Sequence, residues 1–232
     1  MKELTVTELF DLDETIAGEI FEGITYPWEV LPKIGEFIVN LGNTLPEDEY
    51  EKAGENIWIA RSAKVASTAC INGPTIIGKD AEIRHCAFIR GNALVGEGAV
   101  VGNSTELKNV ILFNKVQVPH YNYVGDSILG YKSHMGAGSI TSNVKSDKTL
   151  ATVNTPEGKM ETGLKKIRRH ARRLCGSGLW KCSESGNRCR KKHQYLSSFH
   201  GARLCRGRKH LQKTGGSCRE AVIAWGAANQ QS

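Results

Sequence analysis

Between Ile59 and Leu107 an aliphatic side chain returns at every sixth position: Ile59, Val65, Ile71, Ile77, Ile83, Ile89, Val95, Val101 and Leu107. Four residues after each of the first eight stands a small residue: Ala63, Ala69, Thr75, Ala81, Ala87, Ala93, Ala99 and Thr105. An α-helix repeats near 3.6 residues and a strand near 2, so neither accounts for a strict period of six. The period fits a coil of short strands, each supplying one inward aliphatic, with the small residue in the crowded corner between flat faces. Stacked rungs then bury one continuous aliphatic column, and each rung depends only on its neighbours. The expected fold class is all-β, a parallel β-helix of hexapeptide repeats over residues 56–164.

The flanks read differently. Residues 1–55 predict a short helical or mixed N-terminal cap, which shields an end rung as solenoids require. Leu9, Ile16, Ile20 and Phe21 predict one amphipathic helix. Pro27 opens a second at its first position, running through Trp28, Val30, Leu31, Ile34, Phe37, Ile38 and Leu41, with Pro32 working against it. The acidic run from Pro46 to Lys52 reads as a solvated connector. After Leu107 the six-residue register slips through Val110, Ile111, Leu112, Phe113, Val116 and Val118. It returns at Val124-Gly125, Leu129-Gly130 and Met135-Gly136, where glycine allows corner angles that Cβ-bearing residues resist. Such an interruption predicts a loop on one face, the side on which repeat proteins bind.

Composition changes this picture only at the C-terminus. The 232 residues are 40% hydrophobic and 7% aromatic, so the core is aliphatic. Residues 165–232 carry 17 Lys and Arg against 2 Asp and Glu, leaving 14 against 22 for the rest, so the overall +7 belongs to the tail alone. Five of the seven cysteines lie there too. Neither period six nor helical periodicity shows in this stretch, which reads as a disordered basic tail. Its basic runs suit phosphate charge, but no fold motif accompanies them, so a nucleic-acid partner is not expected. Cys175, Cys182, Cys189 and His193 lack the close Cys pair of structural zinc sites, and no metal is expected. Asp11-Leu-Asp13-Glu-Thr15 matches an aspartate-nucleophile phosphatase pattern, but no doubly wound sheet follows it. No stretch nears the roughly 18 apolar residues of a membrane span, and the acidic N-terminus lacks a signal-peptide run. A cytoplasmic protein is expected.

Four strings carry a resemblance: Ala87-Phe-Ile-Arg-Gly, Val101-Gly-Asn-Ser-Thr-Glu-Leu-Lys-Asn, Val118-Pro-His-Tyr-Asn-Tyr-Val-Gly-Asp-Ser and Met135-Gly-Ala-Gly-Ser-Ile-Thr-Ser-Asn. In this order and spacing they resemble the hexapeptide-repeat acyltransferases, whose fold is a left-handed parallel β-helix. The likeness is close to the acetyltransferase half of bifunctional N-acetylglucosamine-1-phosphate uridyltransferase/glucosamine-1-phosphate acetyltransferase, and closer still to archaeal sugar-1-phosphate nucleotidylyltransferases with the same C-terminal domain. The resemblance implies acetyl transfer from acetyl-CoA to an amino-sugar 1-phosphate in UDP-N-acetylglucosamine-type synthesis. It places the general base on His120. Substrate contacts fall on Arg90, Glu106, Lys108, Tyr123 and Asn143, with a later lysine on Lys148 or Lys145. Donor contacts fall on Ala137 and Gly138. His134 stands where the bacterial enzymes carry asparagine, and His85 reads as a surface residue. A homotrimer with sites between subunits is implied. The nucleotidyltransferase domain of those enzymes has no counterpart before residue 57. The competing reading is a non-catalytic trimerising or regulatory β-helix module.

The resembled family continues with further rungs where this chain has its basic tail. Codons permitted for Arg173 through Lys213, read one nucleotide later, can spell rung aliphatics with Val-Gly corners. This reading predicts a frameshifted tail, a coil left bare near residue 150 and a weakened donor site. Sequencing the encoding DNA across the Lys165 codon tests it, and a second frame without rungs would end the idea.

Overall fold

The period-six column does wind into rungs. The structure is a computed structural model that describes residues 4–141, with segments 152–155, 158–164, 170–171, 176–177 and 182–183. The first coil comprises β2 (Ile57–Ala60), β3 (Lys64–Val65) and β4 (Cys70–Ile71), preceded by β1 (Tyr50–Gly54). The second is β5 (Thr75–Ile77), β6 (Glu82–Ile83) and β7 (Phe88–Ile89). The third holds β8 (Ala93–Val95), β9 (Val100–Asn103) and the long β10 (Glu106–Leu112). Next come β11 (Gln117–His120) and the long β12 (Tyr123–Leu129), then β13 (His134–Met135) and β14 (Ile140–Thr141). All these rungs pair in parallel, making a β-solenoid of about five turns. Face one carries β2, β5, β8 and the ends of β10 and β12; face two β3, β6, β9, β11 and β13; face three β4, β7, the starts of β10 and β12, and β14.

The inward column is buried as the spacing requires. Ile77, Ile89, Val95, Val101 and Leu107 are wholly buried, and so are the corner residues Ala81, Ala93, Ala99 and Thr105. Among the described column residues the starting coil is the open one, with Val65 38% exposed.

The slip after Leu107 is a shortened corner, not a loop. Ile89 aligns with Leu107 and Leu107 with Val124, while Val95 aligns with Leu112 and Leu112 with Leu129. Six residues run from Ile89 to Val95, but five from Leu107 to Leu112 and five from Val124 to Leu129. Each later coil therefore loses one residue where face three turns into face one. Asn109 and Asp126 take φ of 55° and 43° there, a left-handed corner that Asn and Asp tolerate, and Asn109 Nδ2 donates to Asp126 Oδ1 at 3.0 Å.

The corner glycines serve differently from expectation. Gly125, Gly130 and Gly136 are not the left-handed residues; Asp126, Lys132 and Gly138 are. Several glycines instead allow close rung approach: a methyl on Gly102 would run into the Pro119 carbonyl, and one on Gly125 would sit 2.7 Å from Tyr123 Oη.

Face one is buried on both sides, which explains the apolar run from Val110 to Phe113. Trp58, Ile76, Leu94, Ile111 and Ile128 alternate with the inward residues and are also buried. The N-terminal segment covers them, worth about 2 kcal/mol for each large aliphatic. It contains α1 (Val6–Leu9) and α2 (Ile34–Gly42), and α2 packs along β5, β8 and β10. Gly42 lies under the Trp58 ring, and Phe10 and Phe21 meet Phe113 with centroids 5.2 and 6.0 Å apart. The first expected amphipathic helix is largely absent. Beyond Leu9 only the short 3-10 turns Leu12–Glu14 and Gly18–Phe21 form, and Ile16 is 40% exposed. The second begins as a 3-10 turn, Pro27–Lys33, because Pro32 has no N–H for an α ladder, and turns α-helical only at Ile34. The acidic connector ends in β1, which pairs antiparallel with β2 and closes the starting edge of face one.

Short strands are described beyond β14. β15 (Thr152–Thr155) and β16 (Gly158–Glu161) form a hairpin. Beyond it β17 (His170–Ala171), β18 (Gly176–Ser177) and β19 (Cys182–Ser183) pair in parallel with β12, β13 and β14. Ala171, Ser177 and Ser183 stand six apart against Leu129, Met135 and Thr141. These three pairings are backbone ladders, which need no particular side chain, and the rest of the tail lies outside the described residues. The other tail cysteines and His193 lie outside the described residues.

Gly102→Ala is expected to cost about 3 kcal/mol in a urea titration, since the colliding group is backbone and cannot step aside. Gly98→Ala, where a methyl would meet only Lys115 Cγ at an ordinary 3.5 Å but φ is +61°, should cost only about 1 kcal/mol. Equal losses would show that close rung approach is not what Gly102 provides.

Candidate functional site

Face three and its two bordering corners gather most of the residues singled out from the sequence. His120 ends β11 at the corner between faces two and three, and Asn103 holds the same position one coil earlier. The ladder stacks them, so His120 Nδ1 meets Asn103 Oδ1 at 2.8 Å. With the amide oxygen toward the ring, Nδ1 carries the hydrogen and donates it, which leaves the lone pair on Nε2. His120 is solvent-exposed, so that lone pair is available to a substrate proton. The next residue, Tyr121, has φ of 50° and is 64% exposed.

Across face three lie the cations. Arg90 follows Ile89 as Lys108 follows Leu107, so the two stand at equivalent places on successive rungs. Arg90 Nη1 donates to Glu106 Oε1 at 2.8 Å, and this bond, more than the Coulomb attraction, holds the guanidinium above its ordinary pKa. Lys108 forms no ion pair among the described residues. Glu106 aligns with Phe88 on one side and Tyr123 on the other. The Tyr123 ring leans over Gly125, the residue aligned with Lys108. Tyr123 aligns with Glu106, the partner of Arg90, so its phenol belongs to the same cluster. A guanidinium steadied by a carboxylate, an ammonium and a phenol on adjoining rungs suit a phosphate.

The expected donor residues sit on the next coil. Gly138 N donates to His120 O at 3.0 Å, so Ala137 and Gly138 lie directly against the His120 corner. Asn143, Lys145 and Lys148 lie outside the described residues. His134 is exposed on face two, aligned with Gln117, and His85 is exposed at a corner. Asp11 and Asp13 sit on the Leu12–Glu14 turn, and the Thr15 hydroxyl accepts the Ala17 N–H. No group of three or more His, Cys, Asp or Glu suited to a metal occurs among the described residues. No described helix is long and apolar enough to cross a membrane. Reading the sequence missed Asn103. Its signal was present: it precedes His120 by 17 residues, the length of the shortened coil.

A family described as the GMPPB C-terminal domain matches residues 71–155. The putative uncharacterized acetyltransferase YaiX of Escherichia coli is 32% identical over 177 residues, covering 68% of this chain and 74% of that protein. The chain belongs to the hexapeptide-repeat acyltransferases. The bifunctional protein GlmU of Methanococcus vannielii is 36% identical over 141 residues, covering 59% of this acyltransferase-family chain and 33% of the relative. That of Methanococcus aeolicus is 32% identical over 126 residues, covering 47% and 31%. The chain thus spans about a third of the length of these relatives. PerB of Caulobacter crescentus, solved with CoA and GDP-perosamine, is 20% identical, covering 37% of this chain and 48% of that one with a TM-score of 0.22.

Asn103→Ala is expected to release the His120 ring. In histidine ring 15N spectra, with the His120 signal assigned by its loss in His120→Ala, the wild type should show a fixed Nδ1–H form. The Asn103 variant should shift toward the Nε2–H form that free imidazoles favour. An unchanged spectrum would mean that Asn103 does not set the tautomer.

Proposed function

We propose that this chain transfers an acetyl group from acetyl-CoA to the amino nitrogen of an amino-sugar 1-phosphate, with His120 as general base. The observation that carries this is the Asn103–His120 pair, which aims a basic Nε2 outward at one border of face three while Arg90 and Lys108 stand at the other. An ammonium has no lone pair, so the amine attacks in its neutral form, and its nitrogen must shed one proton as it bonds to the thioester carbonyl carbon. His120 Nε2 takes that proton and returns it to the sulfur as the C–S bond breaks, and the products are the amide and the free thiol. Arg90 and Lys108 bind the phosphate, Glu106 keeps Arg90 in place and Tyr123 donates its hydroxyl to the sugar phosphate. Ala137 and Gly138 support the donor, and Asn143 and Lys148 supply further sugar contacts. The sites are completed between subunits of a homotrimer. The GlmU relatives and the acetyltransferase label of YaiX support this reading.

The test is thiol release from acetyl-CoA in the presence of glucosamine 1-phosphate. His120→Ala should lower kcat by about 100-fold or more. Arg90→Ala should raise the acceptor KM about 10-fold, the worth of one charge-assisted bond near 1.5 kcal/mol. Equal rates for wild type and His120→Ala would remove the base from the mechanism. A wild type that releases no thiol with any amino-sugar phosphate would favour a structural module.

A further inference from the structure

The corner residue before face three is small in most coils: Ala69, Ala87, Thr105 and Ser139. In the coil that carries His120 it is Asn122, an amide 2% exposed. A buried amide is costly unless its hydrogen bonds are made, and here every one runs to the site. Asn122 Oδ1 accepts the His120 backbone N–H at 3.1 Å. Its Nδ2 donates to Gly136 O at 2.8 Å and to Ser139 O at 3.2 Å. Those two carbonyls bracket Ala137 and Gly138, the segment whose own N–H bonds His120 O. On the other side, Asn122 O accepts from Glu106 N at 2.8 Å, and Asn122 N donates to Thr105 Oγ1 at 3.4 Å. One side chain therefore ties the base-bearing corner to the donor-side corner, and its backbone ties both to the Glu106 rung.

We infer that Asn122 is a positioning residue that sets the His120 ring and the Ala137–Gly138 segment in one geometry. The inference deepens the acetyl-transfer reading and rests on it for its kinetic consequence. It does not rest on it for the geometry itself. Without Asn122 the His120 N–H loses its acceptor, the corner swings and the ring leaves Asn103. The Gly136–Ser139 corner loosens at the same time. The Arg90 and Lys108 rungs make no bond to the Asn122 side chain.

Asn122→Ala is the decisive variant, and it should fold because Ala69 and Ala87 fill the same corner in earlier coils. Ser127→Ala is the control: it removes a buried hydrogen bond, Ser127 Oγ to Gly125 O at 2.7 Å, at another corner. The His120 ring 15N spectrum of Asn122→Ala should move toward the Nε2–H form, matching Asn103→Ala, while Ser127→Ala keeps the wild-type pattern. In the thiol-release assay kcat should fall about 100-fold, as for a base misplaced by about 1 Å. The donor KM should rise and the acceptor KM stay within about twofold. A wild-type ring spectrum in Asn122→Ala overturns the inference. So does a parallel rise of both KM values with kcat unchanged, the mark of a merely looser fold. A wild type without thiol release sinks the acetyl-transfer reading, and the ring spectra still decide whether Asn122 holds His120.

Discussion

The parallel backbone ladder between successive coils is the constraint on which the rest of the molecule depends. Its bonds join each strand to the one a coil later, so residues 17 or 18 apart stack at a single strand spacing. The inward aliphatics supply the driving force, because a column that keeps its place on every coil can be sealed without a gap. The ladder turns that column into positional order on the outside. Asn103 lies against His120, and Lys108 beside Arg90, for the same reason that Val101 lies against Val118. The candidate site is built by translation along the axis, not by the folding of distant segments.

Within that order, the one-residue deletions at Lys108–Asn109 and Gly125–Asp126 do local work without disturbing the column. They shorten the corner between faces three and one while faces two and three keep their registers. The left-handed Asn109 and Asp126 close the tighter turn and bond to each other. Gly125 beneath the Tyr123 phenol lets that ring lie flat beside the cationic rungs. The shortened coils are the ones that carry Lys108, His120 and Tyr123.

The N-terminal segment divides the outer surface. Its helices and aromatic cluster bury face one from Trp58 to Ile128. Among the described residues, the outward side chains of faces two and three are half-buried or exposed. Among the described residues, Phe88, Tyr121 and Ile140 are three of the five large hydrophobics left exposed, and all border the Arg90–Glu106–Tyr123 row. The chemically equipped side of the solenoid is thus opposite in character to the packed one.

The regular rungs were legible because burial of one residue in six leaves its mark directly in the chain, and so was the set His120, Arg90, Lys108 and Tyr123, whose motif spacing survives in the sequence. The N-terminal segment was harder to read. Its apolar residues answer to the outward side of face one, a surface that exists only after winding, and Pro32 and the turns at Leu12 and Gly18 break the helical pattern. The shortened corners looked like a loop because a lost residue and an inserted excursion both interrupt a period. The short backbone pairings at 170–171, 176–177 and 182–183 carry no hydrophobic signature in the sequence. By itself the sequence determined the repeat, its inward column and the residue types that gather at the candidate site. Tertiary structure alone decided that Asn103 faces His120, that Asn122 joins two corners and that Glu106 holds Arg90. Those bonds cross between coils 16 or 17 residues apart, and only the stacking distance of the ladder brings them within reach.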